Sequence, residues 1–404
     1  MNQSTENKVL TPALIVVMSI ATGLAVASNY YAQPLLETIA KAFSLSVSQA
    51  GFIVTAAQLG YAAGLMFIVP LGDLFERRRL IVLMTLLSAL GMLITAMSST
   101  VIGVIIGTAL TGLFSVVAQI LLPLAATLAE PAKRGKVVGM IMSGLLLGIL
   151  LARTAAGLLA SLGGWRTVYW VAAGLMVVMA LVLWIALPRY KQSNGLNYPQ
   201  LLISIIVLFS RNTTLRTRAF LGALSFANFS MLWTSMAFLL ASPPYNYSEA
   251  VIGLFGLVGA AGALAASGAG QLTDKGKSSL VTTLGLVLLF VSWLPIAFGQ
   301  YSIWALVIGI VLLDLTVQGV HVTNQSMIYR MMPEARSRLT AGYMTSYFIG
   351  GALGSLISAV AYQYGQWLGV CIAGAILSLI GIVIWCLTKR KIEQEAVLYM
   401  DSAI

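Results

Sequence analysis

Asp314 and His321 are the two side chains of this sequence best suited to moving a proton, and both sit in the apolar run Ile303 to Met331. His321 is the sole histidine, and Asp314 is the one acid that falls at membrane depth. At about 100° per helical residue, Asp314, Gln318, His321 and Gln325 lie within roughly 60° of one another and form a polar stripe. An ionised carboxylate at the centre of a span costs about 2.5–3.5 kcal/mol on insertion scales, so the stripe faces a bundle interior or a watery cavity. The two groups are about 10.5 Å apart along the axis, and only Gln318 or water can bridge them. Arg153, in the outer part of another apolar run, leaves two cases open. If it pairs with Asp314, the acid is structural and His321 carries the proton; if it is distant, Asp314 carries it. Arg153 itself binds substrate, counters Asp314, or snorkels toward the outer headgroups.

The elements that hold this stripe follow from composition. With 59% hydrophobic and 9% charged residues, the chain is far too apolar for a soluble domain. The net charge of +11 would suggest nucleic acid in a soluble protein; here the placement of the charges matters more, and no nucleic-acid partner is implied. Runs of spanning length occur near 13–35, 47–71, 80–97, 101–129, 137–160 and 167–187, then near 217–241, 250–272, 279–298, 302–331, 339–362 and 367–388. These predict an all-α membrane protein of twelve transmembrane helices. Leu201 to Phe209 spans only about 14 Å as a helix and is expected on the surface. The first run is kept as a helix, because the repeat below needs it, and not as a removed signal peptide. Cys371 and Cys386 are about 22 Å apart along one helix, too far for a disulfide.

All but Lys41, Arg166 and Arg153 of the 23 lysines and arginines fall on one face of this arrangement. The positive-inside rule then makes both termini cytoplasmic. The chain also repeats. Leu71-Gly72-Asp73 corresponds to Leu272-Thr273-Asp274, and Pro131, Arg134 and Lys136 correspond to Pro333, Arg336 and Arg338, each roughly 200 residues on. Residues 1–188 and 217–391 are therefore expected as two six-helix halves in parallel orientation, with a cytoplasmic central loop at 189–216 and a cytoplasmic tail at 392–404.

These residues resemble the major facilitator superfamily over essentially the whole chain. The signature loop between its second and third spans, roughly G-x-L-A-D-R-x-G-R-R, is similar to Val69-Pro70-Leu71-Gly72-Asp73-Leu74-Phe75-Glu76-Arg77-Arg78. The Asp and the Arg pair are kept, whereas Val69 and Glu76 replace glycines and Leu74 replaces an Arg. Asn29-Tyr30-Tyr31-Ala32-Gln33-Pro34 and Pro131-Ala132-Lys133-Arg134-Gly135 look like the bacterial drug or sugar efflux branch of proton antiporters. The resemblance implies that Asp73, with Arg77 and Arg78, latches a cytoplasmic gate. Thr108 stands where such antiporters carry an Arg ahead of a Gly, and Arg153 where they carry the proline of a Gly-Pro bend. Gly148, Ala152, Ala156 and Gly157 still allow close packing between the halves.

In the family, spans one, four, seven and ten surround the site. That implies a cavity lined by Asn29, Tyr30 and Gln33; by Thr111, Ser115 and Gln119; by Ser225, Asn228 and Trp233; and by the stripe with Gln318 and Gln325. The glycine-rich Gly256 to Gly270 reads as packing. Gly270 and Gly276-Lys277-Ser278 miss phosphate-loop spacing and follow no strand, so ATP is excluded, and no cofactor or metal is implied. The expectation is a monomeric, non-enzymatic exporter of a small organic molecule, coupled to protons by antiport. A facilitator or proton symporter importing a sugar or metabolite is the alternative, and a non-transporting sensor a remote one.

Overall fold

Caps and helix breaks decide where each apolar run becomes an element. The computed structural model describes residues 10–130, 133–191, 197–265, 267–331 and 336–401, and no strand occurs among them. Pro131, Ala132 and Pro333, which entered the loop comparisons above, lie outside the described residues. The helices before the linker are α1 (Pro12–Ala27), α2 (Leu36–Ala42), α3 (Val47–Ala63), α4 (Arg77–Met97), α5 (Val101–Phe114), α6 (Val117–Leu128), α7 (Arg134–Gly163) and α8 (Trp165–Ala186). The linker holds α9 (Tyr198–Arg211). After it come α10 (Thr213–Ala241), α11 (Glu249–Ala265), α12 (Ser267–Asp274), α13 (Ser278–Phe298), α14 (Ile303–Met331) and α15 (Arg336–Asp401). The Thr11 hydroxyl accepts from Leu14 N at 3.2 Å just ahead of Pro12, which fixes the start of α1. Ser46 with Gln49, and Asn197 with Gln200, form capping boxes at α3 and α9.

Nine helices among the described residues are long and apolar enough to cross a membrane; Pro12–Ala27, Tyr198–Arg211 and Glu249–Gly262 are shorter apolar helices. Their outward faces expose Leu83, Ile185, Leu294 and Leu387. In water such a belt would drive association, and against hydrocarbon it is the lipid face.

Several expected runs are interrupted. The run near 13–35 stops at Ala27 and resumes as a 3-10 turn, Gln33–Leu35, that leads into α2. Hydrogen bonds such as Tyr30 N to Ala27 O (2.9 Å) and Leu35 N to Ala32 O (3.0 Å) keep the freed backbone paired. The run near 101–129 breaks between α5 and α6, and the two breaks meet where Asn29 Nδ2 donates to Ser115 Oγ at 3.0 Å. Side-chain bonding between two helices is invisible to hydrophobic periodicity, which explains the difference. The run near 47–71 tightens from α3 into a π turn, Gly64–Ile68, and a 3-10 turn, Val69–Asp73, that contains Pro70. The last two runs form α15, broken at Gln366 (φ 51°, ψ −151°). The expected loop at 189–216 is largely α9, with α10 starting at Thr213, and helix continues into the tail as far as Asp401.

Among the first helices α1 packs on α7, α3 on α5 and α4 on α8; among the later ones α10 packs on α15 and α13 on α14. The two sets join through α3 with α15 and α7 with α11. A side chain at Gly253 would come within 2.6 Å of Arg153 O, and Gly157 lies against the backbone of Glu249, so the helices touch only because these positions lack Cβ atoms. Gly148 instead meets Gly23 of α1. Bonds between the sets gather toward the Lys41 end. Thr38 Oγ1 donates to Glu249 Oε1, Ser48 N to Gln363 Oε1 (3.1 Å) and Thr154 Oγ1 to Gly253 O (3.0 Å). At the Arg77 end α9 links them: the Tyr198 hydroxyl donates to Phe67 O (2.8 Å), and Leu201 and Ile205 share a small cleft with Asp73 and Arg338.

Candidate functional site

Three elements converge on Asp314. The carboxylate is 4% exposed and accepts from Trp233 Nε1 of α10 at 3.3 Å. Helix α11 makes room for it. A Cβ on Gly259 would collide with Asp314 Oδ2 and lie 2.7 Å from Trp233 Cζ2, and one on Gly262 would lie 3.1 Å from Asp314 Cβ. Arg153 of α7 reaches the same indole from the other set of helices. It is 3% exposed, its Nε donates to Gln33 Oε1 at 2.7 Å, and its guanidinium lies 3.9 Å from the Trp233 ring centroid, 4.8 Å from Tyr30 and 5.3 Å from Phe229. Arg153 therefore does not snorkel. No ion pair joins it to Asp314 among the described residues. Each instead meets Trp233, the cation on its face and the carboxylate on its N–H. A desolvated cation on such a ring gains about 2 kcal/mol.

The rest of the stripe is less enclosed. Gln318, His321 and Gln325 are half-buried. His321 Nδ1 lies 3.0 Å from the Tyr343 hydroxyl and its ring centroid 4.5 Å from that of Tyr347, both on α15; Gln325 Nε2 approaches the Met344 sulfur at 3.6 Å. Of the other expected lining residues, Tyr30 and Gln33 stand at Arg153 and Asn29 bonds Ser115 as described. Thr111 Oγ1 bonds back to Gly107 O, and Gln119 sits beside Tyr61, whose ring lies 4.2 Å from Phe348. Asn228 departs from expectation. Its Oδ1 accepts from Trp293 Nε1 (2.8 Å) and Ser378 Oγ (2.9 Å), and its Nδ2 donates to Leu224 O (2.8 Å). The amide is consumed inside the later helices and does not face the earlier ones. Ser225 likewise bonds back to Leu221 O.

At the expected gate, Arg77 Nη2 lies 3.4 Å from Asp73 Oδ1 and its Nε donates to Gly72 O at 3.1 Å. Arg78 is elsewhere, 3.7 Å from Glu76 and 4.7 Å over Trp184, because one helical step turns it toward α8. Among the described residues no cluster of His, Cys, Asp and Glu could hold a metal ion.

The family model described as Major Facilitator Superfamily matches residues 18–299 and again 219–398. The chain belongs to the Major Facilitator Superfamily. It is 72% identical to the uncharacterized transporter YgaY of Escherichia coli O157:H7 over 94% of this chain and 96% of that one. To the probable transporter SCO4007 of Streptomyces coelicolor it is 34% identical, over 90% and 84%. Its fold is similar to the crystal structure of a bacterial homolog of the human lysosomal transporter Spinster, inward-facing and occupied, with a TM-score of 0.79 at 15% identity over 94% and 96% of the chains. The protein is a multi-pass membrane transporter of this superfamily and not an enzyme.

Several site residues of this superfamily transporter escaped the sequence reading. Gly259 lay in a segment read as packing, and its role needs the position of Asp314. Phe229 follows Asn228 by one residue, and its place over Arg153 could have been found from the aromatic spacing Phe226, Phe229, Trp233. Tyr343 and Tyr347, which hold His321, repeat at helical spacing on α15. Arg218, one of the cations assigned above to a single face, is 1% exposed, with Nη1 on Thr282 Oγ1 (2.7 Å) and Asn324 Oδ1 (3.2 Å) and its guanidinium 4.9 Å over Trp385.

Proposed function

We propose that the protein is a proton-coupled secondary transporter of the bacterial inner membrane that exports a small organic molecule by alternating access. In this reading residues 1–188 and 217–391 form two six-helix halves, twelve spans in all once α1 with α2, α5 with α6 and α11 with α12 each count as one and α15 counts as two. The loop at 189–216, the tail and both termini are cytoplasmic, and the protein works as a monomer. The bonds gathered at the Lys41 end then close the outer side, while the half-buried Gln318, His321 and Gln325 lie on the path from the cytoplasm. Asp73 with Arg77 and the adjoining Arg338 serves the inner gate.

The observation that carries the reading is Asp314, buried on the Trp233 N–H where the two sets of helices meet. A carboxylate is retained at such cost where its charge is used. Antiport is the coupling implied by the resemblance to efflux proteins, with proton and substrate loading Asp314 in turn. Symport is the second reading, and Arg153 favours it. An empty site is neutral with Asp314 ionised beside Arg153, whereas a site holding an anion is neutral only with Asp314 protonated.

Proteoliposomes with a pH dye inside test both, with a substrate found by thermal-shift screening against metabolites and drugs. An outward substrate gradient should acidify the lumen under antiport and alkalinise it under symport. An unchanged lumen pH in the wild type, or equal signals from wild type and Asp314→Asn, would remove Asp314 from the mechanism.

A further inference from the structure

Arg153 and Gln33 hold each other and leave two donors unused. Arg153 Nε is committed to Gln33 Oε1 at 2.7 Å, which fixes the orientation of the amide, and Arg153 Nη2 and Gln33 Nε2 are both buried with no hydrogen-bond partner. An unmet buried donor is destabilising, more so on a charged group, and packed interiors leave few of them. Two on adjacent side chains mark a place where something else binds. They border a cleft closed by Pro34, Trp233, Met236, Ala237 and Ile252.

The chemistry of the missing partner follows from the donors. A guanidinium and an amide NH2 offer only hydrogens, so the partner offers acceptors, and a carboxylate matches that pair in charge and geometry. The lining side chains Pro34, Trp233, Met236, Ala237 and Ile252 are apolar or aromatic; the cleft is too tight in this state to admit a water molecule, so a ligand with a compact apolar or aromatic body enters only when the two sets of helices part. We infer that the substrate is an organic anion whose carboxylate is received by Arg153 Nη2 and Gln33 Nε2. This rests on the transport reading above and, within it, selects symport.

The charge count then assigns the proton. Among the described residues the charged and titratable groups coupled electrostatically to Asp314 are Arg153, Tyr30 and Tyr347. Neither tyrosine is charged at neutral pH, so a second anion beside Arg153 is balanced only by a proton on Asp314. Carboxylate and proton bind together, one of each, and no covalent bond changes except the O–H formed on Asp314. Export remains possible, since the direction of a symporter is set by the two gradients.

Matched probes of one shape test this: indole-3-acetate, indole-3-acetamide and tryptamine, which are anion, neutral and cation. Thermal unfolding of purified full-length protein should rise with the acid and not with the amine, with the amide weaker by about tenfold or more. A pH indicator in weak buffer should report proton uptake with the acid. Gln33→Leu, which keeps Arg153 and its aromatic neighbours, should weaken the acid by about tenfold, and Arg153→Lys should weaken it while preserving the preference for the acid. Equal or stronger binding of the amine or amide, wild-type affinity in Gln33→Leu, no proton uptake, or no stabilisation by any of the three overturns the inference. Binding of the acid with proton uptake but without flux in proteoliposomes would leave the anion site at Arg153 and Gln33 standing and overturn the proposed proton-coupled export; proton-coupled flux of a neutral or cationic substrate would do the reverse.

Discussion

Arg153 and Asp314 share one indole without touching each other. The cation lies 3.9 Å from the centroid of Trp233, and the carboxylate takes its N–H at 3.3 Å. Opposite charges on two separate sets of helices are thus coupled through a neutral ring, an arrangement that either can leave without breaking a direct ion pair. A direct buried pair would be harder to part, since stripping one partner from it costs about 3–5 kcal/mol.

The indole N–H can be separated from the ring face. Trp233→Phe removes the donor and keeps a face for Arg153, and a hydrogen bond to a charged group contributes about 1.5–3 kcal/mol. Thermal unfolding should show a loss of that size in the wild type and a much smaller one in an Asp314→Leu background, which offers the indole no acceptor. Additive effects in this double-mutant cycle would mean that the bond is not made in the working protein.

Gly259→Ala should abolish proton-coupled transport while leaving the protein folded. Its methyl would occupy the position of Asp314 Oδ2, whereas a methyl on Gly268, in the same glycine-rich segment, would meet nothing within 4 Å. Gly268→Ala is therefore the control, and equal transport in the two variants would return Gly259 to plain packing.

How much of this was legible in the sequence varies with the physics behind each feature. The stripe on α14 could be read because helical periodicity fixes which residues share a face, and Asp314 proved to be the buried end of it. The family came from Asp73, Arg77 and Arg78, yet the same motif did not reveal that Arg78 turns toward Trp184 and Glu76. Asn228 misled because an amide on an apolar helix looks the same whether it faces a cavity or, as here, Trp293 and Ser378. The Arg153 environment was the least legible. It depends on Gln33 in a break of the first span and on Trp233 some eighty residues away, and no local pattern relates the three.

His321 is the second proton candidate, and its surroundings give it a different expected behaviour. Tyr343 and Tyr347 clamp the ring from α15, so His321→Gln keeps a polar partner for the Tyr343 hydroxyl. Transport should fall while proton coupling survives if Asp314 is the carrier. Loss of coupling in His321→Gln with normal coupling in Asp314→Asn would exchange their roles, and normal proton flux in both would clear the stripe of any part in it.

The closed end supplies the last prediction. Glu249 opens α11 and accepts from Thr38 on α2, and its backbone packs on Gly157, so one residue ties both neighbouring elements across the junction between the two sets of helices. Glu249→Ala removes the side-chain bond and leaves the backbone contact in place. A surface-accessible hydrogen bond is modest, about 0.5–1.5 kcal/mol, or roughly two- to tenfold in an opening equilibrium. A cysteine at Ala237, in the cleft beneath this junction, reports that opening once Cys371 and Cys386 are replaced. A membrane-impermeant thiol reagent added outside should label Ala237→Cys two to ten times faster when Glu249→Ala is present. Faster labelling only from the cytoplasmic side would place the Lys41 end inside and invert the topology, and an unchanged rate from both sides would show that the Thr38 bond does not hold the outer gate.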